Sequence, residues 1–475
     1  MLKKSLLHDI LKLFIILYKE TIMANINIDF KSKKGKIKPM HAVGQPPFKG
    51  GFASLDFSPM QILTDAHIPY SRLHDVGGAF GGNRYVDIPN IFRDFDADVN
   101  DPASYDFAFT DALLKGLIEH GAQPYYRLGV TIENQCIIKA YRIHPPRDYE
   151  KWAQICEHII RHYNEGWADG FHFGIKYWEI WNEPDNNTVD AKRNQMWTGT
   201  PEQLYKLYDV ASKHLKKCFS DKIKVGGYAS TGFYYILSEP EKFGLNVPKK
   251  DGERYTSEVR KGRVDFFFGF LDYIKAHGSP IDFFSWHIYS TYEDAAPISE
   301  FVKRTLTEYG YGDIEIHLNE WNHSHDRNKN KACSYASAHT AAMMSTMQEK
   351  PVDMLMYYDA RYVNVSSYAG FYDVNTFEPS NVYYTFKAFG HLYDLGDQVI
   401  AVSDNEKIMV TAATNGKENA VMITNADSCE HVIKTSLCGK FEAYLIDEKN
   451  MMEKVEIDPT EFTLKGYQVL LLKQN

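Results

Sequence analysis

Residues 175–187 read IKYWEIWNEPDNN. An apolar, aromatic run ends in Asn182-Glu183-Pro184 and turns polar at once. Short apolar runs that stop at polar residues are the pattern of strands buried on both faces, as in parallel sheets. Seven other stretches repeat it: IKPMHAV (37–43), IPYSRLHDV (68–76), AQPYYRLGV (122–130), IKVGGYA (223–229), IDFFSWHIY (281–289), IEIHLNEW (314–321) and VDMLMYYDA (352–360). Amphipathic helices are expected between many of them. In DYEKWAQICEHIIRHYNEG, residues Trp152, Ile155, Cys156, Ile159, Ile160 and Tyr163 fall on one helical face. In TPEQLYKLYDVASKHLKK, Thr200 is placed as N-cap and Pro201 at the first helical position. A third helix is expected from Tyr335 to Glu349, and YDFAFTDALLKGLIEHG carries a core-packing stripe. Strands alternating with helices over residues 37–394 predict a (β/α)8 TIM barrel.

After about residue 395 the helical pattern stops. IMVTAATNGKENAVMITNA is two alternating runs around Asn415-Gly416, a hairpin signal. HVIKTSL, KFEAYLID and GYQVLLLK follow, and residues 395–475 read as an accessory β-sandwich. ANINIDF (24–30) alternates too, so residues 24–36 are expected to form a strand joining that β-domain. Residues 1–23 read as an N-terminal extension that is not structural. Its only clean apolar run is LFIILY, short of the roughly 7–15 residues of a secretory core and of the ~20 that span a membrane. It is either an amphipathic extension or an over-long start, with translation beginning at Met23; the second is preferred.

Composition narrows the function. The 475 residues are 44% hydrophobic, enough for one large barrel and a smaller module. A net charge of −9 with no basic stripe argues against nucleic acid, and no segment calls for a membrane. Six scattered cysteines match neither a disulfide framework nor a CxxC site, and a cytoplasmic location is expected. Tyrosine is abundant, which suits stacking on sugar faces as well as core packing.

In such barrels chemistry sits at the C-terminal strand ends. The second expected strand ends in Arg72, His74 and Asp75, the third near Arg127 and Glu133, and the fourth in Asn182-Glu183-Pro184. The sixth ends in Trp286-His287-Ile288-Tyr289, the seventh in Asn319-Glu320-Trp321-Asn322, and the eighth in Tyr357, Tyr358 and Asp359. Glu183 and Glu320 thus face each other across one mouth, and a carboxylate pair is what glycoside hydrolysis needs. Singly, each glutamate reads equally well as a loop carboxylate. Glu179 or Glu315 is a candidate buried partner for a barrel arginine such as Arg72. His317, His323 and His325 match no zinc spacing, so neither metal nor other cofactor is expected. His67 and His120 read as solvated or capping residues, and Lys33-Lys34 and Lys249-Lys250 as solvated charge.

The joint pattern of WEIWNEPDN and HLNEWN resembles the retaining glycoside hydrolases whose glutamates lie on strands 4 and 7 of a (β/α)8 barrel. Within that clan the chain most resembles glycoside hydrolase family 39, which contains β-xylosidases and α-L-iduronidases. KPMHAVGQPP, SRLHDVGG, FSWHIYS and YYDARYVNVSSYAGFYD carry the resemblance further. It implies Glu183 as general acid/base, Glu320 as nucleophile, Arg72 beside the nucleophile, and Asn182 at the sugar 2-hydroxyl. It implies His74 as a substrate contact. His287 and Tyr289 share the place of the residue that orients the nucleophile. Tyr358 takes a position where many clan members have Trp, and Trp321 is assigned to substrate binding. The resemblance implies an oligosaccharide or glycoside substrate and an exo-acting β-xylosidase. The alternatives are an α-L-iduronidase-like or other β-glycosidase, for which Lys192 and Arg361 are candidate cations, and a non-catalytic carbohydrate-binding barrel. Glu183 should hold a proton near neutral pH through an apolar surround, with Trp178 and Trp181 contributing, and through the nearby anion of Glu320.

Overall fold

The structure is a computed structural model that describes residues 22–50, 55–76, 86–132, 143–323, 333–362, 369–373 and 375–474. Residues 1–21, Glu133, Cys136 and His325 lie outside the described residues.

The first described strand, β1 (Ile22–Lys36), joins the accessory sheet. Each of the eight apolar stretches then contributes one strand to a closed parallel barrel. These are β2 (Ala42–Gly44), β3 (Tyr70–Leu73), β4 (Gln123–Leu128), β5 (Tyr177–Ile180), β6 (Lys224–Ser230), β7 (Phe283–Tyr289), β8 (Glu315–Asn322) and β9 (Met354–Tyr357). Neighbours in sequence are neighbours in the barrel, and β9 closes on β2 through Met356–Ala42 and Tyr357–Val43. Outside run α1 (Gln61–Asp65), α2 (Ala108–Glu119), α3 (Tyr149–Glu165), α4 (Pro201–Phe219), α5 (Glu258–His277), α6 (Tyr292–Tyr309), α7 (Ser334–Gln348) and α8 (Asn381–Leu395).

Local chemistry sets these elements. In α3 the apolar stripe from Trp152 to Tyr163 is buried, Asp148 accepts from Lys151 N at 2.9 Å, and Gly166 ends the helix at φ +75°. Thr200 and Gln203 form a reciprocal capping box on α4, with Pro201 in its first turn. Truncating one buried stripe residue such as Ile159 would cost roughly 2–5 kcal/mol. Lys38 seals the bottom of the barrel. Its ammonium donates to the carbonyls of Met347, Lys350 and Val352, where the chain leaves α7.

The barrel interior is filled in layers. Tyr125, Tyr177, Phe283, Met354 and Met356 form an apolar plug near the strand starts. His317 stacks on Phe283 at 4.8 Å and meets the Tyr125 hydroxyl at 3.1 Å. A charged layer lies above the plug: Arg72 and Glu179, joined by Ser285 and Asn319.

The accessory sheet adds β10 (Asp397–Ser403), β11 (Ile408–Thr414), β12 (Asn419–Asn425), β13 (His431–Thr435), β14 (Glu442–Ile446), β15 (Met451–Val455), β16 (Glu461–Leu464) and β17 (Val469–Gln474). Its order is β15-β14-β17-β12-β11-β10-β1-β13-β16, antiparallel except where β1 runs parallel to β13. Ala443 on β14 and Phe462 on β16 lie toward opposite ends of that order. They nevertheless share one apolar cluster with Ile26 and Val421, so the sheet folds over itself as a sandwich. Alternation then divides the faces: Val421, Ile423, Leu470 and Leu472 enter this cluster, while Ala420, Met422, Val469 and Leu471 pack on the barrel core. Both faces are covered there, which is why these strands read as unbroken apolar runs. The β11–β12 turn has four residues: Thr414 pairs with Asn419, and the Asn415 side chain accepts from Lys417 N and Glu418 N. Among the described residues no helix is long and apolar enough to cross a membrane.

Candidate active site

Past β5 the chain leaves the extended path abruptly. Trp181 (φ +71°) and Glu183 (φ +44°) both take left-handed backbone conformations, costly for side chains with a Cβ and concentrated at functional sites. The turn is held by Glu183 N donating to Ala229 O at 2.9 Å and by buried Asp185, which accepts from Thr231 N (2.9 Å) and Thr231 Oγ1 (2.7 Å). It lifts the Glu183 carboxyl into the mouth.

On β8 a bulge does the equivalent work. Leu318 pairs with Trp286 and Glu320 with His287, so Asn319 is the extra residue. Asn319 donates down to Glu179, and Glu320 also turns inward. Both side chains reach the interior from adjacent positions, which unbroken alternation forbids.

Arg72 ties the layers together. Its Nε donates to Glu179 Oε2 at 2.8 Å, Nη2 to Asn182 Oδ1 at 2.6 Å, and Nη1 to Glu320 Oε2 at 3.1 Å. Tyr289 donates its hydroxyl to Glu320 Oε1. His287 Nδ1 lies 2.8 Å from Glu183 Oε1 and 3.6 Å from Glu320 Oε2. Asn186 Nδ2 donates to Glu183 Oε2 at 3.2 Å. The two glutamates therefore sit in different company. Glu320 meets a guanidinium and a phenol, and Glu183 an imidazole and an amide.

Electrostatics follow from burial. Burial raises the Glu183 carboxyl to about 7, against the opposing pull of Asn186, Arg72 and Arg260. Burial also raises Glu320, and the charge of Glu183 adds to this; His287, Arg72 and the Tyr289 hydroxyl favour its anion. Burial lowers His287 to about 4, so its ring is neutral at pH 7.

The structure brings Glu183, Glu320, Arg72, Asn182, His287 and Tyr289 into one hydrogen-bonded group. His74 and Tyr358 form an adjoining wall. Tyr358 donates to Asp75 Oδ2 at 3.0 Å, Asp75 Oδ1 is 3.1 Å from His74 Nε2, and the Tyr358 ring stands edge-on to Tyr289 at 6.3 Å. Trp321 departs from expectation. It follows the bulge, so its ring turns outward, is fully buried, and packs against Tyr357 at 4.9 Å. Trp178 and Trp181 do not surround Glu183 either. With Glu179 pointing inward, Trp178 points outward onto Tyr126, and Trp181 packs edge-on against Trp197. Asn186 and Gln45, which donates to the Tyr358 hydroxyl, were not legible in the sequence. They come from loops, where no periodicity aims a side chain.

Among the described residues two sets of possible metal ligands lie within 4.8 Å: Glu183, His287 and Glu320 in the mouth, and Glu157, His214 and Cys218 on the outer helices. In the first, Arg72 already supplies the positive charge. His317 and His323 do not converge: His317 is in the plug, and His323 lies beside Tyr335 and His339.

The sequence profile described as Glycosyl hydrolases family 39 matches residues 84–436. The chain belongs to this family. A β-xylosidase of Caldicellulosiruptor saccharolyticus is 27% identical over 244 residues, which is 46% of this chain and 41% of that protein. The chain thus spans about two fifths of that relative's length. A glucosidase structure from Croceicoccus marinus superposes with a TM-score of 0.73 at 19% identity, over 95% of this chain and 99% of that one. A monomeric β-xylosidase from Caulobacter crescentus CB15 superposes with a TM-score of 0.65 at 13% identity, over 94% and 99%. At these identities the two structures speak for the shared fold alone.

Proposed function

We propose that this family 39 protein is a retaining, exo-acting glycoside hydrolase, with β-xylosides as the leading substrates. The observation that carries the reading is the spacing of the two glutamates. One carboxylate oxygen of each lies within 4.8 Å of one of the other, closer to the ~5–5.5 Å carboxyl separation of double displacement than to the ~6.5–9.5 Å of an inverting site. The name of the Caldicellulosiruptor relative supports xylose as the sugar removed.

Glu320, held as an anion by Arg72 and Tyr289, attacks the anomeric carbon. Glu183, protonated near neutral pH, gives its proton to the departing oxygen. Esterification removes the charge of Glu320. Glu183 is left as the base that draws a proton from water, which then displaces the ester and restores both groups. Arg361, a candidate for meeting a uronate, is committed to Asp359 at 2.7 Å, which favours a neutral terminal sugar. A panel of aryl glycosides tests the assignment. Cleavage of the β-xyloside with retained anomeric configuration by NMR is expected. Preferential uronide cleavage would replace the sugar, and sugar binding without turnover would replace the enzyme with a binding barrel.

A further inference from the structure

Three arginines gather on the Glu183 side of the mouth, none of them in a salt bridge among the described residues. Arg254 lies on the short helical turn Glu253–Thr256, and Arg260 and Arg263 on the first two turns of α5. Arg254 and Arg260 stack over the ring of Tyr234, 5.0 and 4.8 Å from its centre. The hydroxyl of Tyr234 accepts from Tyr289 N at 2.6 Å, which places the pair at the rim of the reacting centre. Arg254 also donates to Tyr289 O. Arg263 donates from Nη2 to Asn186 O at 3.0 Å, and the Asn186 side chain holds Glu183.

None of the three has a carboxylate within salt-bridge distance among the described residues, although most other arginines here do. Arg263 is 5% exposed, yet among the described residues its Nε and Nη1 have no hydrogen-bond partner, and neither does the buried Nε of Arg254. Buried donors left unpaired cost free energy, and guanidinium groups are shaped to grip carboxylate or phosphate. Three such cations, none of them in a salt bridge with a described carboxylate, suit an anion brought by a ligand.

Resting on the double-displacement reading, which sets Glu183 beside the departing oxygen, we propose that Arg254, Arg260 and Arg263 form an anion subsite on the leaving-group side. The enzyme then takes glycosides whose leaving group carries a carboxylate or a phosphate. The remainder that departs is an acidic or phosphorylated sugar or phenol, while the sugar transferred to Glu320 is neutral.

Three aryl glycosides with one terminal sugar test this: a leaving phenol bearing a carboxylate, a phosphate monoester or a neutral carboxamide. Charge-assisted contacts of this kind predict kcat/KM about tenfold or more above the carboxamide for at least one anionic substrate at low salt. The anion that shows the preference identifies the source. The preference should shrink as salt rises and approach unity in Arg260→Gln and Arg254→Gln, two half-buried positions, with Arg260→Lys keeping part of it. Equal rates in the wild type, or a preference untouched by both variants, would overturn the subsite. Calorimetric titration with 4-hydroxybenzoate, phenyl phosphate and 4-hydroxybenzamide reads the subsite without turnover. If no glycoside is cleaved but an anion binds tenfold tighter through Arg260, the catalytic reading fails and the subsite stands. If glycosides are cleaved and no anion is preferred in either assay, the subsite fails alone.

Discussion

The hydroxyl of Tyr289 donates to Oε1 of Glu320, while His287, two residues earlier on the same strand, puts Nδ1 2.8 Å from Glu183. Both face inward because strand residues two apart share a face. The strand has divided its two polar groups between the two carboxylates, and of the two it is Tyr289 that donates to Glu320.

Tyr289→Phe should therefore act on the nucleophile. The hydroxyl favours the Glu320 anion, so its loss raises the Glu320 pKa. The acid limb of the kcat/KM profile should move to higher pH. A fall in kcat of roughly 10²-fold is expected, the scale seen when one preorganised donor is removed from a site. An unmoved acid limb would mean that Tyr289 only fills space.

Glu183 should set the alkaline limb. Its carboxyl titrates at about 7, and the protonated form is the one that donates, so kcat/KM should fall above that pH and the limb should vanish in Glu183→Gln. Stability runs with the same sign. The folded pKa lies above the ordinary 4.5, so folding binds the proton, and wild-type stability is lost as pH rises from about 4.5 through 7. Glu183→Gln has no such loss. Its Tm should match the wild type near pH 4 and exceed it at pH 8, by on the order of 1–3 kcal/mol of unfolding free energy. Parallel Tm curves across that range would exclude the coupling.

Arg72 is both a structural and a chemical group, and two substitutions separate the roles. Arg72→Ala takes the guanidinium from Glu179, 0% exposed, and leaves it the donors Ser285 and Asn319 among the described residues. Breaking such a pair costs roughly 3–5 kcal/mol, and thermal unfolding should show it. Arg72→Lys keeps the charge but cannot span Glu179, Asn182 and Glu320 together. It should fold with a smaller drop in Tm and still lose most of kcat. If Arg72→Lys turned over like the wild type, the fork to Asn182 and Glu320 would be irrelevant to chemistry.

The barrel was legible because each strand is buried on both faces, so each left an apolar run in the sequence. The carboxylate pair was legible because Glu183 and Glu320 close two of those runs, and Glu179 was already a candidate partner for Arg72. Trp321 shows where this stops. LNEWN contains no glycine or proline to announce a bulge, yet the extra residue at Asn319 reverses the facing of everything after it. Alternation alone cannot place Trp321. The arginines are illegible for a different reason. Residues 254–263 lie between strands, and only tertiary packing stacks Arg254 and Arg260 on Tyr234 and leaves Arg263 beside Asn186.

The two glutamates should fail differently, and the difference separates catalytic roles from loop carboxylates. Glu320→Ala removes the attacking group, so no covalent intermediate forms and turnover collapses for every leaving group. The space left beside Arg72 admits a small anion. Azide there attacks the same carbon in one displacement, giving a glycosyl azide of inverted configuration. Glu183→Ala removes only proton transfer. A phenol that leaves without protonation still departs, Glu320 is glycosylated, and the ester then stalls because no base activates water. Azide needs no base, so it should restore turnover and give an azide of retained configuration after two inversions. NMR of the two azide products is the measurement. Opposite configurations support Glu320 as nucleophile and Glu183 as acid/base, the reverse pattern exchanges the roles, and undiminished cleavage of an unactivated disaccharide by Glu183→Ala would return that residue to the loop.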